Sequence, residues 1–162
     1  MIDEFEPSLF EKLLDDDVRA PATGVARRLN IEQVKESVAR DLEALLNTRL
    51  VLADEALERF PECQRSILSY GLSDFSGLSL ANSYDRAYVC RSLERAIDHH
   101  EPRLTNVRAT LEMDYFASSK LRFAISALLV VHPAQEPVNF DAMLQPSTLQ
   151  YEVSKSRRLR DH

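Results

Sequence analysis

His99-His100-Glu101-Pro102-Arg103-Leu104-Thr105-Asn106-Val107 is where the chain changes its period, and that change decides the fold. Upstream, Asn82 or Ser83 caps a helical stretch in which Tyr84, Val89, Leu93 and Ile97 read as one apolar face. Downstream, Val107, Ala109, Leu111 and Met113 alternate as a strand does. Proline disfavours helical backbone at the residue before it, so the helix stops at or just before Glu101. In an extended segment, residues two apart share a side, which puts the Glu101 carboxylate and the Arg103 guanidinium together with Pro102 opposite. Continued unbroken, that side also carries Val107, Ala109, Leu111 and Met113, and the charged fork sits at the rim of a core. A charge pair there must be fully hydrogen-bonded, and two readings follow: an internal cap or ion pair, or a docking point for a partner.

The alternation continues to the end of the chain. Leu121, Phe123, Ile125, Leu129 and Val131 define a second strand, Val138, Phe140, Ala142 and Leu144 a third, and Leu149, Tyr151 and Val153 a short fourth. Leu128 and Val130 make the other side of the second strand apolar too, so that strand is expected to be central and covered on both sides. The fourth, short and followed by charge, is expected at an edge, where another chain can add a strand.

Before the switch, Asn30 and Gln33 form a capping pair for a helix carrying Ile31, Val34, Val38, Leu42, Leu45 and Leu46 as far as Asn47. A shorter helix is expected from Pro61 to Tyr70, with Gly71 just past its end, followed by a serine-rich loop to Leu80. The whole is an α+β domain: N-terminal helices followed by a three- to four-stranded antiparallel β-meander. Residues 1–29 read as an N-terminal helix, with Leu9, Phe10, Leu13 and Leu14 ahead of Asp15-Asp16-Asp17, plus a flexible linker containing Pro21 and Gly24. Residues 30–153 form the main domain. Residues 154–162, with Lys155, Arg157, Arg158 and Arg160, form a basic C-terminal tail.

With 162 residues, 44% hydrophobic and 28% charged, the chain has material for one core and needs no covalent staple. A net charge of -6 argues against nucleic-acid binding. Cys63 and Cys90 are isolated and expected as reduced thiols. The start, Met1-Ile-Asp-Glu-Phe-Glu, is acidic where a secretion signal is basic, and no apolar run reaches the roughly 20 residues that span a bilayer. A cytoplasmic protein with no direct membrane insertion is expected.

Sites of chemistry are sparse. His99 and His100 point about 100° apart on a helix and do not share an ion, so their expected role is favourable placement at the helix C-terminus. Ser73-Asp74 lacks a histidine at nucleophile spacing, and Gly71 and Gly77 read as turn residues without a phosphate loop. Tyr70 is expected to pack in the core or a loop. Glu94, Asp98 and Glu101 are near one another in sequence, which keeps a lysozyme-like glycan hydrolase open; that chemistry needs two carboxyls across a cleft. A cytoplasmic adaptor docking through Leu9, Phe10, Leu13 and Leu14 is a further alternative. No cofactor, metal site or catalytic residue is expected.

Four stretches occur in an order that carries more than any one alone: Arg40-Asp-Leu-Glu-Ala-Leu-Leu-Asn-Thr-Arg49, Arg65-Ser-Ile-Leu-Ser-Tyr-Gly-Leu-Ser-Asp-Phe-Ser-Gly-Leu78, Glu101-Pro-Arg-Leu-Thr-Asn-Val107 and Val138-Asn-Phe-Asp-Ala-Met-Leu144. Together, from about Ser8 to Val153, they resemble TssE, the baseplate wedge family of the type VI secretion system, related to wedge and sheath-initiator proteins of contractile phage tails. The resemblance implies a structural role. It places the partner contact on Glu101, Pro102 and Arg103, held against the TssF and TssG wedge subunits. It also implies C-terminal strands offered to the TssB/TssC contractile sheath, TssK and other baseplate proteins as neighbours, and a cytoplasmic position at a baseplate docked on the inner membrane complex. Pro146 in the last turn and the basic extension depart from the family pattern at the sheath-facing end.

Overall fold

The computed structural model describes residues 30–52, 54–112, 121–131, 134–145 and 147–156. The expected N-terminal helix and linker, Met113, Pro146 and the arginines of the tail lie outside these residues. The order of elements is helices then strands, and the fold is α+β. Helix α1 is Ile31–Asn47, a short α2 is Asp54–Glu58, and α3 is Ser83–His100. Four strands, β1 Leu104–Glu112, β2 Leu121–Val131, β3 Ala134–Gln145 and β4 Gln150–Lys155, form one antiparallel meander in the order β1-β2-β3-β4.

Each long helix starts where its polar residues can hold free backbone N–H groups. Asn30 accepts from the Gln33 backbone and the Gln33 side chain accepts from Asn30, closing a capping box. Asn82, rather than Ser83, caps α3 through the Tyr84 N–H. Val34, Val38, Leu42, Leu45 and Leu46 of α1 and Val89, Leu93 and Ile97 of α3 are buried against Phe123, Ile125, Leu129, Phe140 and Ala142 of the inner strands. Tyr84 does not join that face: it is 82% exposed. It lies five residues before Val89, which turns it about 140° away on the helix.

Four further expectations are corrected. The helix expected over Pro61 to Tyr70 is two 3-10 turns, Pro61–Arg65 and Ile67–Ser69, preceded by α2, which the sequence reading did not find. No side chain of Pro61–Arg65 is buried, and Ile67 and Leu68 face outward, so no apolar stripe rewards a continuous helix. The third strand begins at Ala134, earlier than Val138, and β4 runs through Lys155 rather than ending at Val153. The second strand is interior as expected, paired to β1 and β3, but Leu128 and Val130 on its far side are only half-buried.

The segment after Glu101 is not extended without interruption. Leu104 N–H bonds to the Glu101 carbonyl at 3.1 Å, closing a tight turn with Pro102 at its second position. One residue pair later the ladder slips: Thr105 faces Leu128 while Arg108 faces Ser126, an extra residue on β1. Asn106 has φ 55, the left-handed conformation a short amide tolerates. The bulge resets the alternation, so Leu104 is buried before it and Val107 and Ala109 after it. The fork is therefore not on the strand's apolar side by alternation.

Candidate functional site: the Glu101-Pro102-Arg103 fork and the outer edge of β4

The fork forms, though by a turn rather than by a strand. Helix α3 delivers Glu101 with its backbone N–H on the Ile97 carbonyl at 2.8 Å, and Pro102, lacking a donor, leaves the helix without an unpaired N–H. The turn folds Arg103 back over the glutamate. Glu101 Oε1 accepts from Arg103 N at 3.1 Å and Nε at 2.7 Å, and Oε2 accepts from Nη2 at 2.6 Å. This is the two-pronged pairing that suits a planar guanidinium.

The sequence reading missed the other half of the site. Arg103 Nη1 donates to Ser37 Oγ at 3.2 Å, and Nη2 donates also to Asp41 Oδ2. Ser37 and Asp41 lie one turn apart on α1, so the arginine joins the first helix to the α3–β1 turn across more than 60 residues of sequence. The available signal was the pair of polar positions four apart beside the apolar stripe of α1. Burial alone opposes a guanidinium's charge, but the Glu101 and Asp41 carboxylates outweigh it and hold the Arg103 pKa above the ordinary arginine value. Glu101 is nearly covered, with 6% of its side chain exposed, against 27% for Arg103 and 44% for Asp41. The internal reading is thus realised. It leaves an accessible face, since the four side-chain bonds use all but one of the five guanidinium N–H groups.

The Arg65–Leu78 stretch meets the ends of both long helices beside this place. Gly71, at φ +123, lies so close to the end of α1 that an added Cβ would meet the Thr48 carbonyl oxygen at 2.5 Å. That approach lets Leu72 N–H bond to Thr48 O at 2.9 Å and Leu50 N–H to Leu72 O at 2.8 Å. The Tyr70 ring stands edge-on to His100, 5.3 Å between centroids. Burial, with the negative charge of Asp41 and Glu101 added, pushes its hydroxyl pKa up. His100 Nε2 is 3.0 Å from the Ser69 carbonyl. Burial is the first cause that lowers the pKa of both His99 and His100, so the expected gain from a charged histidine at this helix end is outweighed by desolvation.

Among the chemistry-bearing candidates Asp98 is exposed, and the others below are engaged structurally. Glu94 Oε1 accepts from the Ala109 backbone at 2.9 Å, and both oxygens of Glu101 face Arg103. Asp74 accepts from the Ser76 backbone and hydroxyl, which lowers its pKa. Cys63 and Cys90 are free thiols, both partly buried. Among the described residues no group of three or more His, Cys, Asp or Glu is arranged to hold a metal, and no helix is long and apolar enough to cross a membrane.

At the far side of the sheet, β4 takes the edge position. Its outward backbone groups meet α1. Tyr151 N–H donates to Asn47 Oδ1 and Tyr151 O accepts from Asn47 Nδ2, each at 2.8 Å, and Val153 N–H donates to Glu43 Oε2 at 2.9 Å. Lys155 Nζ bridges Glu32 and Glu36 at 3.1 Å.

No curated protein matches the chain. A solved structure described as the baseplate complex from the type VI secretion system contains a similar chain: 19% identical, TM-score 0.47, covering 70% of this chain and 96% of that one. The family profile described as baseplate wedge protein gp25 matches residues 32–134, which is more than half of the sequence and takes in α1, the fork, β1 and β2. The chain belongs to the baseplate wedge protein gp25 family.

Proposed function

We propose that this chain is a TssE-like wedge subunit of a type VI secretion baseplate. In this reading it docks to TssF and TssG through Glu101, Pro102 and Arg103 and offers β4 to the TssB/TssC sheath, with TssK among its neighbours. It works in the cytoplasm, at a baseplate held on the inner membrane complex. The observation that carries the reading is family membership over residues 32–134, a stretch that contains the fork. The geometry supports a docking role: a proline-set turn holds a pre-ordered guanidinium at the surface with a donor to spare, so little side-chain freedom is lost when a carboxylate or carbonyl meets it. A glycan hydrolase has less support, because it needs a carboxylic acid free to give up a proton, whereas both Glu101 oxygens accept from a guanidinium.

The test is capture of co-expressed TssF and TssG by tagged full-length protein, comparing wild type with Arg103→Ala and Arg103→Lys after each is shown to be folded. Capture by wild type and its loss in folded variants supports docking at the fork. No capture by wild type removes the wedge reading. Undiminished capture by both variants confines Arg103 to holding the fold.

A further inference from the structure

We propose that the Glu43 and Asn47 side chains of α1 are a removable guard on β4, and that strand addition at this edge requires them to release Val153 and Tyr151. An edge strand exposes unpaired N–H and C=O groups on alternate residues, and a protein that leaves them open invites uncontrolled pairing. Here the outward groups of Tyr151 are both taken by one side-chain amide, and the outward N–H of Val153 by a carboxylate. The Asn47 amide supplies one donor and one acceptor to the same residue, the pattern given by a residue of an antiparallel neighbour strand in a hydrogen-bonded pair.

The match has a geometric cause. Residues four apart on a helix are separated by about 6 Å along its axis. Outward positions two apart on a strand are separated by about 6.6 Å. Glu43 and Asn47 therefore stand in register with Val153 and Tyr151, helix numbers rising as strand numbers fall. The opposite edge repeats the device: Glu94 accepts from Ala109 N–H, and Cys90, four residues earlier, takes the Leu111 backbone amide on its sulfur. At both edges of the four-stranded sheet, helix side chains thus take outward backbone groups as a neighbouring strand would.

The β4 guard is the one suited to removal. Asn47 is exposed and Glu43 half-exposed, and the neighbouring Lys155 pairs with Glu32 and Glu36 involve glutamates that are 59% and 62% exposed, a class of contact that contributes little. An incoming extended segment must supply an N–H and C=O pair to Tyr151 and a carbonyl to Val153. A basic side chain beside it compensates the freed Glu43 carboxylate.

That the incoming segment comes from a sheath rests on the proposed function; closure of the edge does not. Amide exchange measured residue by residue on the full-length protein tests the closure. In Glu43→Ala/Asn47→Ala, exchange at Tyr151 and Val153 is expected to quicken about tenfold or more relative to Ile125 in β2. Glu43→Gln, which keeps an acceptor, is expected to restore Val153. Should the double variant not fold, Glu43→Ala alone is expected to open Val153 only. Unchanged exchange in a folded variant overturns the proposal. The same proteins co-expressed with the TssB/TssC pair test the gate: greater capture by the double variant than by wild type supports it, and equal, detectable capture by both overturns it. If exchange quickens and neither protein captures the pair, closure is upheld and the sheath reading fails.

Discussion

Arg103 is held by three acceptor side chains from two parts of the chain, and its removal leaves Glu101 with 6% of its side chain exposed and no cation beside it. Truncating one partner of a buried pair is costly, and the partial exposure of Arg103 and Asp41 reduces the figure. Arg103→Ala is expected to lower the unfolding free energy by about 2 kcal/mol, and Arg103→Lys by about half of that, in urea titrations with an unchanged slope. A docking-only arginine would leave both midpoints where they are. The second residue-scale prediction concerns His100. Its folded pKa is lowered, chiefly by burial, from an ordinary value of 6.5. The stability linked to it is present above that value and is lost as pH falls through it, because the unfolded chain binds the proton first. The melting temperature is expected to drop between about pH 7 and pH 5, and less so in His100→Gln; equal slopes in the two proteins would remove His100 from the account. The Glu101 and Arg103 pair was legible in sequence because the two residues are neighbours with a proline between them. Ser37 and Asp41 were not, because a contact across more than 60 residues leaves no local pattern.

At the scale of elements, periodicity gave the two long helices and all four strands, since each carries a buried stripe against one sheet. It failed where no apolar side chain is buried, at Pro61–Arg65 and Ile67–Ser69, and where one residue interrupts a strand. Asn106 is the clearest case: alternation read through it puts Arg103 and Val107 on one side, while the bulge separates them. The conformation at Asn106 is disfavoured by side chains, β-branched ones most. Asn106→Val is expected to cost about 1–2 kcal/mol and Asn106→Gly to be nearly neutral, by thermal or urea unfolding; a tolerated valine would mean the bulge is not fixed by this residue. Gly71 read as a simple helix stop. Its positive φ and its approach to Thr48 make it instead the seat of the bridge between Arg49 and Leu72. Gly71→Ala is expected to destabilise by about 2 kcal/mol or more, because the obstacle is backbone, which has no rotamer to move aside.

For the molecule as a whole, α1 connects the two proposed contact regions. With about 100° between successive residues, Ser37 and Asp41 flank one side of the buried stripe of Val34, Val38, Leu42 and Leu45. Glu32, Glu36, Glu43 and Asn47 lie about 120–180° round the helix from Val38, on its far side. The first pair holds the fork and the second set holds β4, so one rigid helix spans from Arg103 to the sheet edge. A helix packed on a sheet moves as a body, and a change in what grips one flank alters the position of the other. Loosening the fork is therefore expected to reach the guard: Arg103→Lys, which keeps the charge and gives up the two-pronged grip, is expected to quicken amide exchange at Tyr151 and Val153 well beyond the roughly fivefold that its loss of global stability gives Ile125 in β2. If all amides quicken together, the variant has only lowered global stability. If Tyr151 and Val153 stay unchanged, the two flanks are independent and the fork has no hold on the edge. The selective result, combined with Asn47→Ala in a double-mutant cycle, is expected to be less than additive, since both changes release the same strand edge through the same helix.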